Sequence, residues 1–469
     1  MRNAVALGVD VGTTRIKAAT VSLDGRELHS ASTETPWRPS DQGPLLDLDQ
    51  LRDDVIALCD EAASQTLLDG DQVSAIAITG MAETGALLDG AGRPIVPGFA
   101  WHHRSGDPER IFAALGEQEF IEHTGRTASI TPSITKLDLL RHQGHTFAPG
   151  QRWLTIPDYV SYCLCGEQAA ELSEASRTGL LDIVARTWWD DALEFLGATR
   201  SLLPGEPVPT GTVLGPVRGD LPGSLRGAVV ATGGHDHPMA AIGVGVTEPG
   251  VLGLSLGTAE AQLRIIPPIT TRHDVAVAVA ASGFVDWHPL GDRMTLVGAI
   301  PTGITLERLA TLLGCRTLAD RLALSVEAMR ADLPATGVRL AEADFDRFSL
   351  TDIGDDAQPA AVWRAVVSAL SATSGSVIDA VEQAFGPRTR AVVYGGWIHD
   401  PLVRRERLNQ LGPNVAFSDI EEAGIVGSAL VAAKAAGLID SLPTISQPQG
   451  GSDQHHSSDS SSLDAGRQH

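Results

Sequence analysis

The sequence predicts a mixed α/β fold, and three observations carry that expectation. The chain opens on successive apolar strands over residues 4–11, 15–23 and 26–35, with the turn pair Asp24 and Gly25 between the last two. Apolar residues at helical spacing from Leu48 to Leu68 then lead into a buried strand, Val73 to Ile78. Strands and helices alternate again after residue 227. A hairpin-led sheet followed by helical crossovers is a mixed α/β layer. At roughly 150 residues per domain, 469 residues suggest two to four domains.

The middle of the chain, about 105–225, is more helical, with Pro and Gly interruptions near 149–150, 204–209 and 215–223. Gly227 to Ala231 begins a second set of buried strands, and Val251 to Thr258 reads as strand then turn. Long helical patterns cover about 303–333 and 358–385. Arg390 to Tyr394 is a strand that ends on Gly395 and Gly396, and helices at about 401–411 and 421–437 close the fold. Residues 446–469 are Ser, Gly, Gln, Asp and His with almost no apolar side chain. Such a segment buries too little to offset its ordering entropy, so a disordered tail is expected.

Lys and Arg number 35 against 58 Asp and Glu, a net charge of −23. A field of that sign opposes non-specific binding to nucleic acid or an anionic membrane. It does not exclude an anionic substrate, because a metal or a local basic cluster inverts the field. The four cysteines, Cys59, Cys163, Cys165 and Cys315, have no C-x-x-C spacing and read as reduced thiols. Asp10 interrupts the N-terminal apolar run, and no stretch nears about 18 uninterrupted apolar residues. A cytoplasmic protein with no membrane partner is the expectation.

Neither a P-loop nor a G-x-G-x-x-G fingerprint is present. Gly12, Thr13 and Thr14 offer another route to an anion, since a Gly-led turn exposes N–H groups and two hydroxyls add donors. Asp10 before them could organise Mg²⁺ with its water shell; a plain polar turn is the other account. Gly233 and Gly234 precede His235, Asp236 and His237 at the end of a strand. Open α/β sheets bind ligands at such strand ends, and a carboxylate there could take a proton from a hydroxyl. Asp236 could equally cap the helix that follows, and the two flanking histidines have metal-ligand spacing but no third ligand. Gly395 and Gly396, with Trp397 and Asp400, stand at a further strand end where close backbone approach to a ligand is possible. The string Asp10 to Thr14 is echoed by Ser255, Leu256, Gly257, Thr258 and Ala259, which suggests a duplicated fold with one such turn per half.

Taken in order, these pieces resemble the FGGY carbohydrate kinases, within the broad actin-like ATPase group. The resemblance covers about residues 4–438 and includes Ile78 to Thr84, Pro97 through Trp101 to Arg104, Pro157 to Tyr159, Glu171 to Ser176, and Glu421 to Gly424. It implies two RNase-H-like domains, about 4–238 on the sugar side and 239–438 on the nucleotide side, flanking a catalytic cleft. It implies ATP-dependent phosphorylation of a small sugar or polyol, such as a ketopentose, with Mg²⁺ and with a homodimer as a further expectation. By similarity Asp236 is the general base, and Asp10 and Asp236 hold the metal. Gly12, Thr13, Thr14, Gly257, Thr258, Gly303, Gly395, Gly396 and Asp400 would meet the nucleotide. Met81, Glu83, Trp101, His103 and Asp236 would meet the sugar. Ala82 and His103 depart from the family pattern, where Arg or His and Asp are common, which puts the substrate in question. His235 with Asp236, and Glu260 after Gly257 and Thr258, lean to L-fuculose kinases, while other segments lean to xylulose kinases. A silent sensor that kept the kinase fold and an actin-like ATPase are the competing classes.

Overall fold

The computed structural model describes residues 3–443, apart from 105, 331, 333–335 and 356. The expected tail lies outside the described residues. Two six-stranded sheets organise the chain. The first holds β1 (Ala4–Val11), β2 (Arg15–Val21), β3 (Glu27–Glu34), β4 (Gln72–Gly80), β5 (Val213–Pro216) and β6 (Val229–His235), in the order β5-β6-β4-β1-β2-β3. The second holds β7 (Val251–Leu256), β8 (Glu260–Ile266), β9 (Phe284–Trp287), β10 (Met294–Ile300), β11 (Arg390–Tyr394) and β12 (Val415–Ser418), in the order β9-β10-β8-β7-β11-β12.

Both sheets share one five-strand pattern. Three strands run antiparallel, and two more add in parallel beyond the first strand of the hairpin. The Gly12 turn joins β1 to β2, and the Gly257 turn joins β7 to β8. The echo between the two strings therefore marks equivalent places in two copies of one topology. β8 to β10 carried no expectation from the sequence. Every residue of β8 is buried, including Glu260, Gln262 and Arg264. Charged residues inside a fully covered strand hide the apolar run that would have marked it.

Helix α1 (Leu48–Leu68) forms where the spacing places it, with Asp47 accepting a bond from Gln50 N at its start. The long pattern over 303–333 is instead two helices, α4 (Thr302–Leu312) and α5 (Leu318–Ala328). Gly314 takes a φ of +87°, and Thr317 with Asp320 builds a capping box that starts the second helix. The short helix α2 (Leu172–Ser176) precedes β5, and α3 (Asp236–Gly243) follows β6 directly. The division expected at 238/239 falls inside α3. Helix α6 (Pro359–Phe385) is long and apolar enough to cross a membrane by composition, yet Trp363, Val366, Val367 and Leu370 on it are buried in the core of the second sheet. Helices α7 (Pro401–Leu411) and α8 (Ala423–Ala435) follow. Helix α8 crosses α3 so closely that a Cβ on Gly427 would overlap the Met239 carbonyl.

One hydrophobic core joins the middle segment to the second half of the chain. Phe120, Ile134, Leu180, Ile183 and Trp189 share it with Ile266, Val275, Val285 and Trp287. Backbone bonds tie the same surfaces, with Val285 N donating to Gly125 O at 2.8 Å and Trp287 Nε1 to Ile183 O at 2.8 Å. Strand β9 is thus an edge of the second sheet that docks on the first half.

Candidate active site

The Gly12 turn is built by its neighbours. Gly12 N bonds Arg15 O at 3.0 Å, and Thr35 Oγ1 donates to Gly12 O at 2.8 Å. Two indoles hold Thr13: Trp37 Nε1 donates to its carbonyl at 2.6 Å and Trp101 Nε1 to its Oγ1 at 3.1 Å. Trp101, expected at the sugar, therefore also reaches the phosphate-type turn. Trp37 was missed, since a lone Trp after a strand gives no local signal.

Asp10 lies at the end of β1, and its Oδ1 is buried with no hydrogen-bond partner. Burial, with the charges of Asp236 and Glu422 nearby, pushes its carboxyl up to about 7, against a smaller pull from Lys17. Lys17 Nζ pairs with Glu422 at 2.5 Å and so links the β2 strand to the loop before α8. Glu422 enters beside Asp10 from the far end of the chain.

Asp236 opens α3 at the end of β6. His235, not Asp236, is the residue preceding the helix, and no side chain caps it. Asp236 Oδ1 instead accepts from His237 N at 2.6 Å and faces His235 Nε2 at 3.2 Å. The helix-cap account is set aside on that geometry. The Asp236 side chain keeps 30% exposure, and Asp10 is half-buried with only its Oδ1 closed off from solvent. Burial, with Arg177 and His237 adding to it, drives His235 well below the ordinary imidazole range, which leaves it neutral. The His235 and His237 rings meet edge to face at 5.4 Å. Among the described residues no group of three or more His, Cys, Asp or Glu forms a metal cage. Thr79 Oγ1 donates to Gly234 O at 2.7 Å and locks the ends of β4 and β6 together.

The second turn sits among glycines. A Cβ on Gly303 would overlap the Gly257 carbonyl and stand 2.7 Å from Trp397 Nε1. Gly395 has a φ of +98°, and a Cβ on it would stand 2.7 Å from Leu256 O. Ile304 N donates to Thr258 O at 2.8 Å. The structure thus brings Gly257, Thr258, Gly303 and Gly395 together, with Gly396 alongside in sequence. Asp400 is different and corrects an expectation. It is buried, it caps α7 through Leu402 N and Val403 N, and Ser325 Oγ donates to both of its oxygens at 2.8 and 2.7 Å. Its carboxylate is fully used, so a nucleotide contact is withdrawn. Glu260, buried on β8, bonds Thr302 Oγ1 at 2.7 Å and Ser374 Oγ at 2.5 Å and pairs with Arg407, which fixes the start of α4 behind the turn.

On the expected sugar side, Met81, Glu83 and His103 are buried. Glu83 has a φ of +66°, a left-handed conformation that a non-glycine residue rarely adopts. Its carboxylate pairs with Arg177 and lies 3.8 Å from Arg126. His103 stacks edge-on against Phe99, 5.1 Å between centroids. Lys136, which the sequence did not single out, donates to Trp101 O at 2.9 Å and to Ile130 O at 2.5 Å. It holds the Trp101 segment in place, and burial pulls it down to about 7 against the charge of Glu83.

Residues 5–243 match the family model for the N-terminal domain of the FGGY carbohydrate kinases. The chain belongs to the FGGY family of carbohydrate kinases. It is 30% identical over 315 residues to the xylulose kinase of Streptomyces rubiginosus, covering 66% of this chain and 60% of that protein's length. It is 25% identical over 473 residues to the autoinducer-2 kinase of Yersinia enterocolitica, 93% of this chain and 87% of that one. Its fold superposes on the crystal structure of xylulose kinase from Rhodospirillum rubrum with a TM-score of 0.80, at 23% identity and 93% and 91% coverage of the two chains.

Proposed function

We propose that this chain transfers the γ-phosphate of ATP to a hydroxyl of a small sugar or polyol, a ketopentose such as xylulose being the leading class. The observation that carries the reading is the pair of carboxylates at the ends of β1 and β6, two strands that flank β4 in one sheet. Asp10 has one buried, unpartnered oxygen beside the Gly12 turn, and Asp236 stands half-buried at the start of α3.

Phosphoryl transfer needs positioning, charge neutralisation and an oriented nucleophile. An orphaned Asp10 oxygen, crowded by Asp236 and Glu422, suits a divalent cation. Mg²⁺ takes one or two carboxylates plus water and phosphate oxygens, so Asp10 and Asp236 are the residues that would hold it. When bound it would offset charge on the transferring phosphate. The N–H groups and hydroxyls of Gly12, Thr13 and Thr14 would steady the phosphates. Gly257, Thr258, Gly303, Gly395 and Gly396 would give the nucleotide a surface free of side chains. Glu83, Trp101, Met81 and His103 would face the acceptor. Asp236 would accept the hydroxyl proton as the bond to phosphorus forms, while neutral His235 keeps its carboxylate oriented.

A coupled ADP-release assay over ketopentoses, ketohexoses, aldonates, tetritols and glycerol tests this. Acceptor-dependent ADP release is expected with at least one of them. Binding of a sugar with no ADP release would mark a silent sensor and defeat the proposal.

A further inference from the structure

We propose that Asp286 is a positioning residue for Glu83, acting through Arg126 and Arg177, and that it sets affinity for the acceptor. The proposal rests on the sugar-side role given to Glu83 above. Asp286 comes from β9 in the second sheet, whereas Glu83, Arg126 and Arg177 come from the first half. Relative exposures are 3% for Asp286, 5% for Glu83, 0% for Arg126 and 9% for Arg177. Asp286 pairs with Arg126, and Arg177 Nη1 donates to its other oxygen at 3.1 Å. Arg177 also pairs with Glu83, and the Phe284 ring lies under both guanidiniums, 5.6 and 4.9 Å from its centroid.

The charges balance: two buried cations face two buried anions. The sharing is uneven. Glu83 is held through Oε1 by Arg177 alone at close range, with Arg126 3.8 Å away, and Arg126 Nε and Nη1 and Arg177 Nε have no hydrogen-bond acceptor. Asp286 therefore engages both arginines, while Glu83 is tied to them closely through Oε1 and Arg177 only. Without its charge, two cations with spare donors would close on the single remaining carboxylate. Glu83 would turn from the acceptor to the arginines, because buried charges are costly unless paired.

The test measures acceptor affinity by calorimetry and kinetics on D286N and on the charge-balanced double variant R126M/D286N. The acceptor is whichever of D-xylulose, D-fructose, D-gluconate, erythritol and glycerol gives the largest heat with the unmodified protein. D286N should weaken acceptor binding about 10- to 100-fold, the scale of one lost charge-assisted hydrogen bond, with ATP affinity and kcat at saturating acceptor within about twofold. The double variant should recover most of the loss. Unchanged acceptor affinity in folded D286N would overturn the proposal, and so would equal losses for acceptor and ATP. If D286N does not fold, the double variant decides: near-normal acceptor affinity supports the proposal, and a tenfold loss overturns it. Acceptor heat without ADP release in the unmodified protein defeats the kinase reading but leaves this comparison of affinities decisive. No heat with any acceptor defeats both.

Discussion

The two hairpin turns occupy equivalent places in the two sheets yet are furnished in opposite ways. In the first, the residue two before the glycine is Asp10; in the second it is Ser255. The first turn is backed by carboxylates, with Asp10, Asp236 and Glu422 within mutual electrostatic reach. The second is backed by Gly303 and Gly395 and by the self-contained pairing of Glu260 with Arg407. One topology thus places carboxylates behind one turn and close-packed glycine backbone behind the other.

That division can be broken from either side. The largest effect is expected at the charged turn. Asp236→Asn should lower kcat by roughly 10²–10⁴-fold, the usual contribution of a general base, while ATP binding changes little. Asn keeps the bond from His237 N, so the fold has no reason to suffer. A near-normal kcat in the folded variant would remove Asp236 from the chemistry. At the close-packed second turn Gly303→Ala should act on the nucleotide. The added methyl overlaps the Gly257 carbonyl, and forcing one extra carbon into a packed site costs about 1–3 kcal/mol. An ATP KM raised tenfold or so, with acceptor KM nearly unmoved, is the expected pattern. A larger change for the acceptor would mean that the halves do not divide the work.

The sugar side offers a milder test. His103→Asp replaces a buried imidazole beside Phe99, which burial and then the charge of Lys136 hold below the usual imidazole range, with a carboxylate. The ranking of acceptors should shift by several-fold without loss of turnover, because charge, reach and donor capacity change together. An unaltered ranking in the ADP-release panel would place His103 away from the acceptor.

Much of the frame was legible in the chain. The β1–β2 hairpin, α1, β11 and the glycine-bearing turns carry local signals, and the echo between Gly12 and Gly257 foretold the duplicated topology. Three things were hidden. Asp400 sits after a Gly pair and Trp397, where a ligand contact and a helix cap look alike in sequence, and the cap prevailed. The hydrogen-bonding hub at Glu260 and the Glu83–Arg177–Asp286–Arg126 set join residues far apart in the chain, so no window could reveal them. The strands from 260 to 300 bury charges that mask their periodicity.

The smallest expected effect concerns the acidic side of the first half. Glu174 on α2 is fully buried and neither of its oxygens has a hydrogen-bond partner. Burial, then the charges of Asp158 and Glu171, raises its carboxyl well above the ordinary range. Asp158 is likewise pushed up to about 8 by burial and by Glu171. Carboxyls whose folded pKa is raised hold protons that the unfolded chain has already released. Stability is then greatest below the unfolded pKa near 4 and falls as pH rises toward 8. Glu174→Gln removes one such proton uptake while keeping shape and size. The variant should therefore melt higher than the unmodified protein at pH 8, by about 2–4 °C for each kcal/mol relieved, and gain less at pH 5. Tm measured across that range checks it. A variant that melts lower at pH 8 would show that the Glu174 carboxylate is paired there, and the contrast between the carboxylate-backed first turn and the glycine-backed second turn would weaken with it.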